Sequence, residues 1–233
     1  MIVEWDPSRP KKKATELIKS ALMDGGIIGY PTDTFYGMGC DLFNIRAIRK
    51  LYLIKRLPTK WALSIICRDL KDVSDYAVMS DFAFGIMKQC LPGPYTFVLK
   101  AKKIMPKLLM TEKKEVGIRI PSHPVPVALA KLIERPIINT SAKITGDEVL
   151  SDPRKIDETF KGSIDLVVDG GIVVSEASTV LRLTEDTIEV LREGKGAFKH
   201  LLWGLTFLLQ GPPPWTLRIP HRARPQAPSP CGA

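Results

Sequence analysis

Residues 25–41, GGIIGYPTDTFYGMGCD, are the stretch from which this chain is best read. Ile27, Ile28, Gly29 and Tyr30 make a short apolar run that reads as a buried strand, closed by Pro31. A polar turn of Thr32, Asp33 and Thr34 follows, then Phe35, Tyr36 and two glycines, Gly37 and Gly39. A strand ending in hydroxyls and glycines puts donors at a sheet rim, where open α/β sheets take their ligands. The glycines let backbone come close to a ligand or to another strand. This rim is the first candidate site.

Outward from it, the chain alternates helices with short strands. Ser8 and Pro10 open a helix whose Ala14, Leu17, Ile18, Ala21 and Leu22 share one face, and Gly25 stops it. Asn44 caps a helix carrying Ile45, Ile48, Leu51 and Tyr52, which ends at Pro58. Ala62 to Cys67 reads as a strand, and Ser80 or Asp81 caps a helix through Cys90. Pro92-Gly93-Pro94 punctuates the chain before a strand from Tyr95 to Leu99; another strand runs from Val116 to Ile120. Pro124 starts a helix, and strands follow at Pro136–Asn139, Leu166–Asp169, Thr179–Leu183 and Ile188–Leu191. The order predicts an α/β (α+β) fold with an open mixed sheet flanked by helices.

Of 233 residues, 34 are Lys or Arg and 25 are Asp or Glu, a net charge of +9. Five of the basic residues and no acidic one follow Gly194, which leaves residues 1–194 at +4. Residues 197–233 hold seven of the 19 prolines, and segments such as GPPPW and RPQAPSP have neither helical nor strand period. The expected organisation is a domain over 1–196 and a basic, Pro-rich tail over 197–233, disordered or foreign to the native protein. The four cysteines are far apart and form no CxxC, so neither a metal site nor a disulfide framework is expected, and a cytoplasmic setting fits best. No apolar run reaches the roughly 18 residues of a membrane span.

The sequence has no Walker A run, GxGxxG, HExxH or GxSxG. It has polar groups at strand and helix ends instead: Thr32, Thr34, Lys55, Thr96, Arg119, Ser141, Ser178, Thr179 and Arg192. Singly, such residues cap backbone or face solvent; together, hydroxyls and cations without a catalytic His suit a phosphorylated or carboxylated substrate. His123, in PSHP, ranks below Arg119 as a site residue.

The ordered motifs YPTDTFYGMGCD, IKRLP, PGPYTFVLK, VGIRIPSHP, INTSAKITG, STVLRLT and VLREG resemble the YrdC-type family, the threonylcarbamoyl-AMP synthases of tRNA modification. The match runs from about Ala14 to Gly194. The resemblance implies a twisted open α/β sheet with a basic concave surface. It also implies condensation of ATP, L-threonine and bicarbonate to threonylcarbamoyl-AMP and pyrophosphate with Mg²⁺, the threonylcarbamoyl group then passing to tRNA adenosine. By position, Thr32, Arg119 and Ser178 resemble the threonine-binding groups, and Lys55, Thr96, Ser141 and Arg192 resemble those around ATP. No side chain is implied as a chemical catalyst.

Two positions depart from the synthase pattern. Leu57 stands where Lys-x-Arg has its second cation, and Lys143 where Ser-x-Asn has its amide. Arg56 and Lys143 are the candidates to supply the missing positive charge. These departures, with IICRDL, STVLRLT and the GGI segment at 170–172, resemble the YciO branch. That branch implies the fold without implying synthesis. It keeps open an alternative, a paralogue that binds nucleotide, tRNA or double-stranded RNA, and a further one, an enzyme for another amino acid or nucleotide.

Overall fold

A computed structural model of the chain describes residues 1–58, 61–144, 146 and 148–198. Most of the expected tail therefore lies outside the described residues. Helix α1 (Lys12–Met23) follows strand β1 (Ile2–Glu4), and strands β2 (Ile28–Tyr30) and β3 (Gly37–Gly39) flank the PTDT turn. Next come α2 (Ile45–Ile54), β4 (Ser64–Ile66), α3 (Leu70–Tyr76), β5 (Ala77–Val78) and α4 (Asp81–Cys90). Strands β6 (Tyr95–Ala101) and β7 (Glu115–Arg119), helix α5 (Pro124–Leu132), strand β8 (Ile137–Ser141) and helix α6 (Pro153–Thr159) continue the chain. Strands β9 (Leu166–Asp169), β10 (Thr179–Arg182) and β11 (Glu189–Arg192) complete it.

Local chemistry sets the helix starts. The side chains of Asn44, Asp69, Ser80 and Asp152 each accept a backbone N–H in the first turn of α2, α3, α4 and α6. His123 does the same for α5 through Nδ1, which is the structural role expected of a lone histidine. Burial holds its imidazole below the ordinary histidine value, against the opposing pull of Asp33.

The strands form one open mixed sheet in the order β1-β9-β2-β3-β8-β4-β7-β6-β10-β11, with β5 on β6. Neighbours mix parallel pairs (β1 with β9, β4 with β7, β6 with β10) and antiparallel ones (β2 with β3, β4 with β8, β6 with β7). In the β1-β9-β2 half both faces are buried. Ile28, Tyr30, Leu166 and Val168 pack with Ile18 and Leu22 of α1 and Val125 and Leu129 of α5. On the other face Ile27 and Val167 join the large core, which holds Ile48 and Leu51 of α2 and Ile156 of α6.

In the β7-β6-β10 half only one face is covered. Phe97, Leu99, Ile118 and Leu181 point into the large core, with Ile86 and Met87 of α4. The alternate residues Thr96, Val98, Gly117, Arg119, Val180 and Arg182 face the opposite way, into a cavity. Among the described residues no helix is long and apolar enough to cross a membrane. Phe198 is buried in the large core, and the Tyr95 hydroxyl donates to the Ala197 carbonyl at 2.7 Å. Packing thus reaches two residues past the expected boundary at 196.

Candidate active site

The cavity has a volume of about 740 Å³ and its floor is the uncovered sheet face. Strand register draws a row across it: Asn139 pairs with Ser64, Ser64 with Gly117, Gly117 with Val98, and Val98 with Arg182. Small residues in the middle of that row make the surface concave. A Cβ on Gly117 would already sit 3.2 Å from that of Ser64 and 3.3 Å from the Thr96 methyl. Lys113, Arg119, Lys143, Arg182 and Arg192 bring positive charge to the lining, and Glu112 and Glu115 negative charge.

At one end stands Arg119, the last residue of β7, only 6 % exposed. Its Nη2 donates to Asp33 Oδ1 at 2.9 Å and to Thr34 Oγ1 at 3.1 Å. Its Nε is buried without a hydrogen-bond partner among the described residues. Burial pulls the guanidinium below its ordinary value and Asp33 opposes that shift, so the group stays charged. The buried Nε is closed to a ligand, but the planar guanidinium lines the cavity, and its remaining edge is the part a ligand carboxylate would meet.

A second cluster lies on the β6 and β10 side. Thr96 Oγ1 and Ser178 Oγ are 2.9 Å apart, and Arg192 curls back so that Nη2 donates to Ser178 Oγ and Nε to Ser178 O, both at 3.0 Å. Ser141 and Lys143 line the cavity from the end of β8.

The structure thus gathers Thr96, Arg119, Ser141, Lys143, Ser178 and Arg192 around one cavity. It places three other candidates off the lining. Thr32 is buried behind the turn: its hydroxyl donates to Phe35 O at 2.6 Å, receives Thr34 N at 3.1 Å and lies 3.0 Å from Thr34 Oγ1. Thr34 takes the cavity-facing place. The reason is turn geometry, since Thr32 closes a hydroxyl turn on its own backbone. Arg56 is exposed at φ +52°, outside the lining, and Leu57 packs partly buried against the core.

Lys55 is 3 % exposed. Its Nζ donates to Ser141 O at 2.5 Å and to Lys143 O, so it fastens the loop that carries both residues to the cavity. Burial, helped by the nearby charge of Lys143, lowers its pKa to about 8. The folded value lies below the ordinary 10.5, so the protonated form is penalised in the folded state. That penalty is present below about pH 8 and is relieved as pH rises from there toward 10.5. It is on the order of 3 kcal/mol before the two carbonyl bonds offset part of it. Denaturant titrations at pH 7 and pH 10 are expected to show a stability gain from this group, and a Lys55→Met variant to lack that component.

Asp33 is the site residue that the sequence reading passed over. It was legible only as part of a polar turn, while its ion pair with Arg119 spans 86 positions of chain. The buried Glu115 is another: Arg182 bridges it at 3.3 Å and Glu189 at 2.5 Å, at the far end of the cavity. Among the described residues no group of three or more His, Cys, Asp or Glu is placed to hold a metal ion.

The profile of the Sua5/YciO/YrdC family, described as "Telomere recombination", matches residues 20–194. The chain belongs to the Sua5/YciO/YrdC family. YciO of Escherichia coli K12 is 36 % identical over 198 residues, 84 % of this chain and 96 % of that protein. A Methanocaldococcus jannaschii protein named "Putative threonylcarbamoyl-AMP synthase" is 36 % identical over 185 residues, covering 79 % of this chain and 87 % of its own length. The crystal structure of P. abyssi Sua5 complexed with L-threonine superposes with a TM-score of 0.82 at 25 % identity, covering 94 % of this chain and 62 % of that one. The open mixed sheet flanked by helices is therefore the architecture of the Sua5/YciO/YrdC family.

Proposed function

We propose that this chain is a threonylcarbamoyl-AMP synthase, condensing ATP, L-threonine and bicarbonate and releasing pyrophosphate. The observation that carries the reading is the Arg119 guanidinium, fixed by Asp33 and Thr34 and lining the same cavity as the Thr96–Ser178–Arg192 cluster. One end offers a cationic donor to a carboxylate, and the other offers hydroxyls and cations suited to phosphates. The L-threonine complex of Sua5, a relative with the same fold, supports threonine as the amino acid.

In this reading Arg119 and Thr34 hold the threonine carboxylate, and Ser178 borders both substrates. The threonine amine takes up CO₂ from bicarbonate with loss of water, giving a carbamate. A carbamate oxygen attacks the α-phosphorus and pyrophosphate leaves. Arg192 and Lys143 offset the charge on the phosphates, while Lys55 and Thr32 hold the loops that present Ser141, Lys143 and Thr34. Such a step needs placement and charge neutralisation more than a strong base. Transfer of the product to tRNA would follow on partner proteins.

The test is threonine- and bicarbonate-dependent pyrophosphate release from ATP, and its absence above background while an intact family synthase responds would overturn the reading. A Lys143→Ala variant is expected to release pyrophosphate about tenfold more slowly, less than the 10²–10³ of a full transition-state contact. The end of α2 favours a second reading, binding of nucleotide or double-stranded RNA without condensation, because Leu57 packs against the core and Arg56 lies outside the lining, so neither brings phosphates a donor. That reading predicts no pyrophosphate release together with RNA binding that weakens steeply with salt.

A further inference from the structure

The two ends of the cavity are held by the fold in different ways. Arg119, Thr96 and Ser178 sit on or beside adjacent strands, since β6 pairs with β7 through Phe97 and Ile118 and with β10 through Thr96 and Val180. The PTDT turn belongs to the other half of the sheet, between β2 and β3. It reaches Arg119 through side chains, Asp33 Oδ1 and Thr34 Oγ1 both accepting from Nη2. On the β10 side the turn is held by the segment that follows β11, residues 193–198.

That segment is fastened along the start of β10. Gly194 N donates to Thr179 Oγ1 at 3.1 Å, Lys195 N to Ala177 O at 2.8 Å, and Thr179 Oγ1 to Gly196 O at 2.6 Å. It lies so close that a Cβ on Gly194 would sit 2.1 Å from the Ala177 carbonyl oxygen, and one on Gly196 2.5 Å from the Tyr95 ring. With the Tyr95 hydroxyl on Ala197 O and Phe198 in the core, the backbone at 195 has no room to slide. From this fixed base the exposed Lys195 side chain crosses to the turn, where Nζ donates to the Asp33 carbonyl at 2.6 Å. Such a charge-assisted bond is stronger than a neutral one.

We infer that Lys195 is a positioning residue, which ties the PTDT turn to the β10 side and so sets where Thr34 and the Asp33-held Arg119 stand relative to Ser178. Its effect on turnover rests on the proposed function, although the tie itself does not. Lys195 lies outside the cavity lining and acts through Asp33.

Lys195→Met keeps the aliphatic stem and removes the donor, and Lys195→Arg restores a donor; two measurements on the full chain test the role. In hydrogen–deuterium exchange, the Thr34 amide, which donates to Thr32 Oγ1 at 3.1 Å, is expected to exchange about fivefold faster in Lys195→Met, the scale of one lost hydrogen bond. Amides of β6 should be unchanged, and Lys195→Arg should match wild type. In pyrophosphate release, Lys195→Met is expected to raise the threonine KM about fivefold while the ATP KM stays within about twofold, because the turn carries Thr34 and the strands carry Thr96 and Ser178. Lys195→Arg should restore the threonine KM. Tm should stay within about 2 °C in both variants, as for other exposed substitutions. Unaltered exchange of the turn in Lys195→Met would overturn the positioning role whatever the enzyme does, and so would equal changes, or none, in the two KM values. Absence of pyrophosphate release from the wild type would remove the proposed function instead, and exchange alone would then decide the tie.

Discussion

Replacing Arg119 by alanine is expected to lower threonine-dependent pyrophosphate release at least about 100-fold, the scale of removing one preorganised charged contact. Two effects coincide at this residue. The donor to the ligand carboxylate is lost, and Asp33 is left buried without its cationic partner, at 2.9 Å in the intact chain. Breaking such a pair from one side costs about 3–5 kcal/mol of stability. Arg119→Lys separates the two. It keeps a positive charge for Asp33 but lacks the planar fork. The expected result is a folded protein with the threonine KM raised far more than the ATP KM. Equal activity in Arg119→Lys and wild type would remove Arg119 from the substrate site.

The largest purely structural effect is expected at Gly39→Ala. A Cβ at this position would lie 1.8 Å from the carbonyl oxygen of Ile138 and 2.9 Å from the Tyr30 hydroxyl. The first of these atoms is backbone of the neighbouring strand, so no rotamer change relieves the clash. Strand β3 would have to move off β8, carrying the PTDT turn with it. A loss of at least about 3 kcal/mol is expected, which for a chain of this size lowers Tm by roughly 6–12 °C. Gly85→Ala is the matched control. Nothing lies within 4 Å of its added Cβ inside α4, so stability there should rise by about 0.5–1 kcal/mol. A Gly39→Ala variant as stable as wild type would show that β3 and β8 do not pack as described.

These two residues also show what the sequence made legible. Gly39 was readable as a place of close backbone approach because it sits in a run of glycine and apolar residues after a strand. The caps Asn44 and Ser80 and the strands around Phe97, Ile118 and Val167 were readable from local pattern. The short strand Gly37–Gly39 was not, because a Gly-Met-Gly strand has no periodicity of its own and exists by pairing with β2 and β8. Helix α3 was overlooked: its cap Asp69 lies beside Asp72, itself buried by an ion pair with Arg68 at 2.6 Å, which hides the amphipathic pattern. Helix α6 did carry a signal, Asp152 before Pro153, a cap followed by the proline of a first turn.

At the site, residue type was legible and orientation was not. Arg119, Thr96, Ser178 and Arg192 come together because each falls at a strand end or near one. Thr32 and Thr34 are two positions apart in one turn, and only the turn's own hydrogen bonds decide which faces the cavity. Lys55 was expected near ATP only through the family resemblance. Its burial depends on carbonyls 86 and 88 residues away, which no local pattern reports.

Strand β6 spends its odd positions, Tyr95, Phe97 and Leu99, on the core, and its even positions, Thr96 and Val98, on the cavity floor. Descent with modification therefore meets this wall under unequal rules. Substitutions at 96 or 98 can retune chemistry while the packing beneath stays intact. A single-residue insertion or deletion would exchange the two sets at once, sending threonine into the core and phenylalanine into the pocket. Lineages in this fold can accordingly drift in what they bind, one side chain at a time, while the length of this strand is held constant.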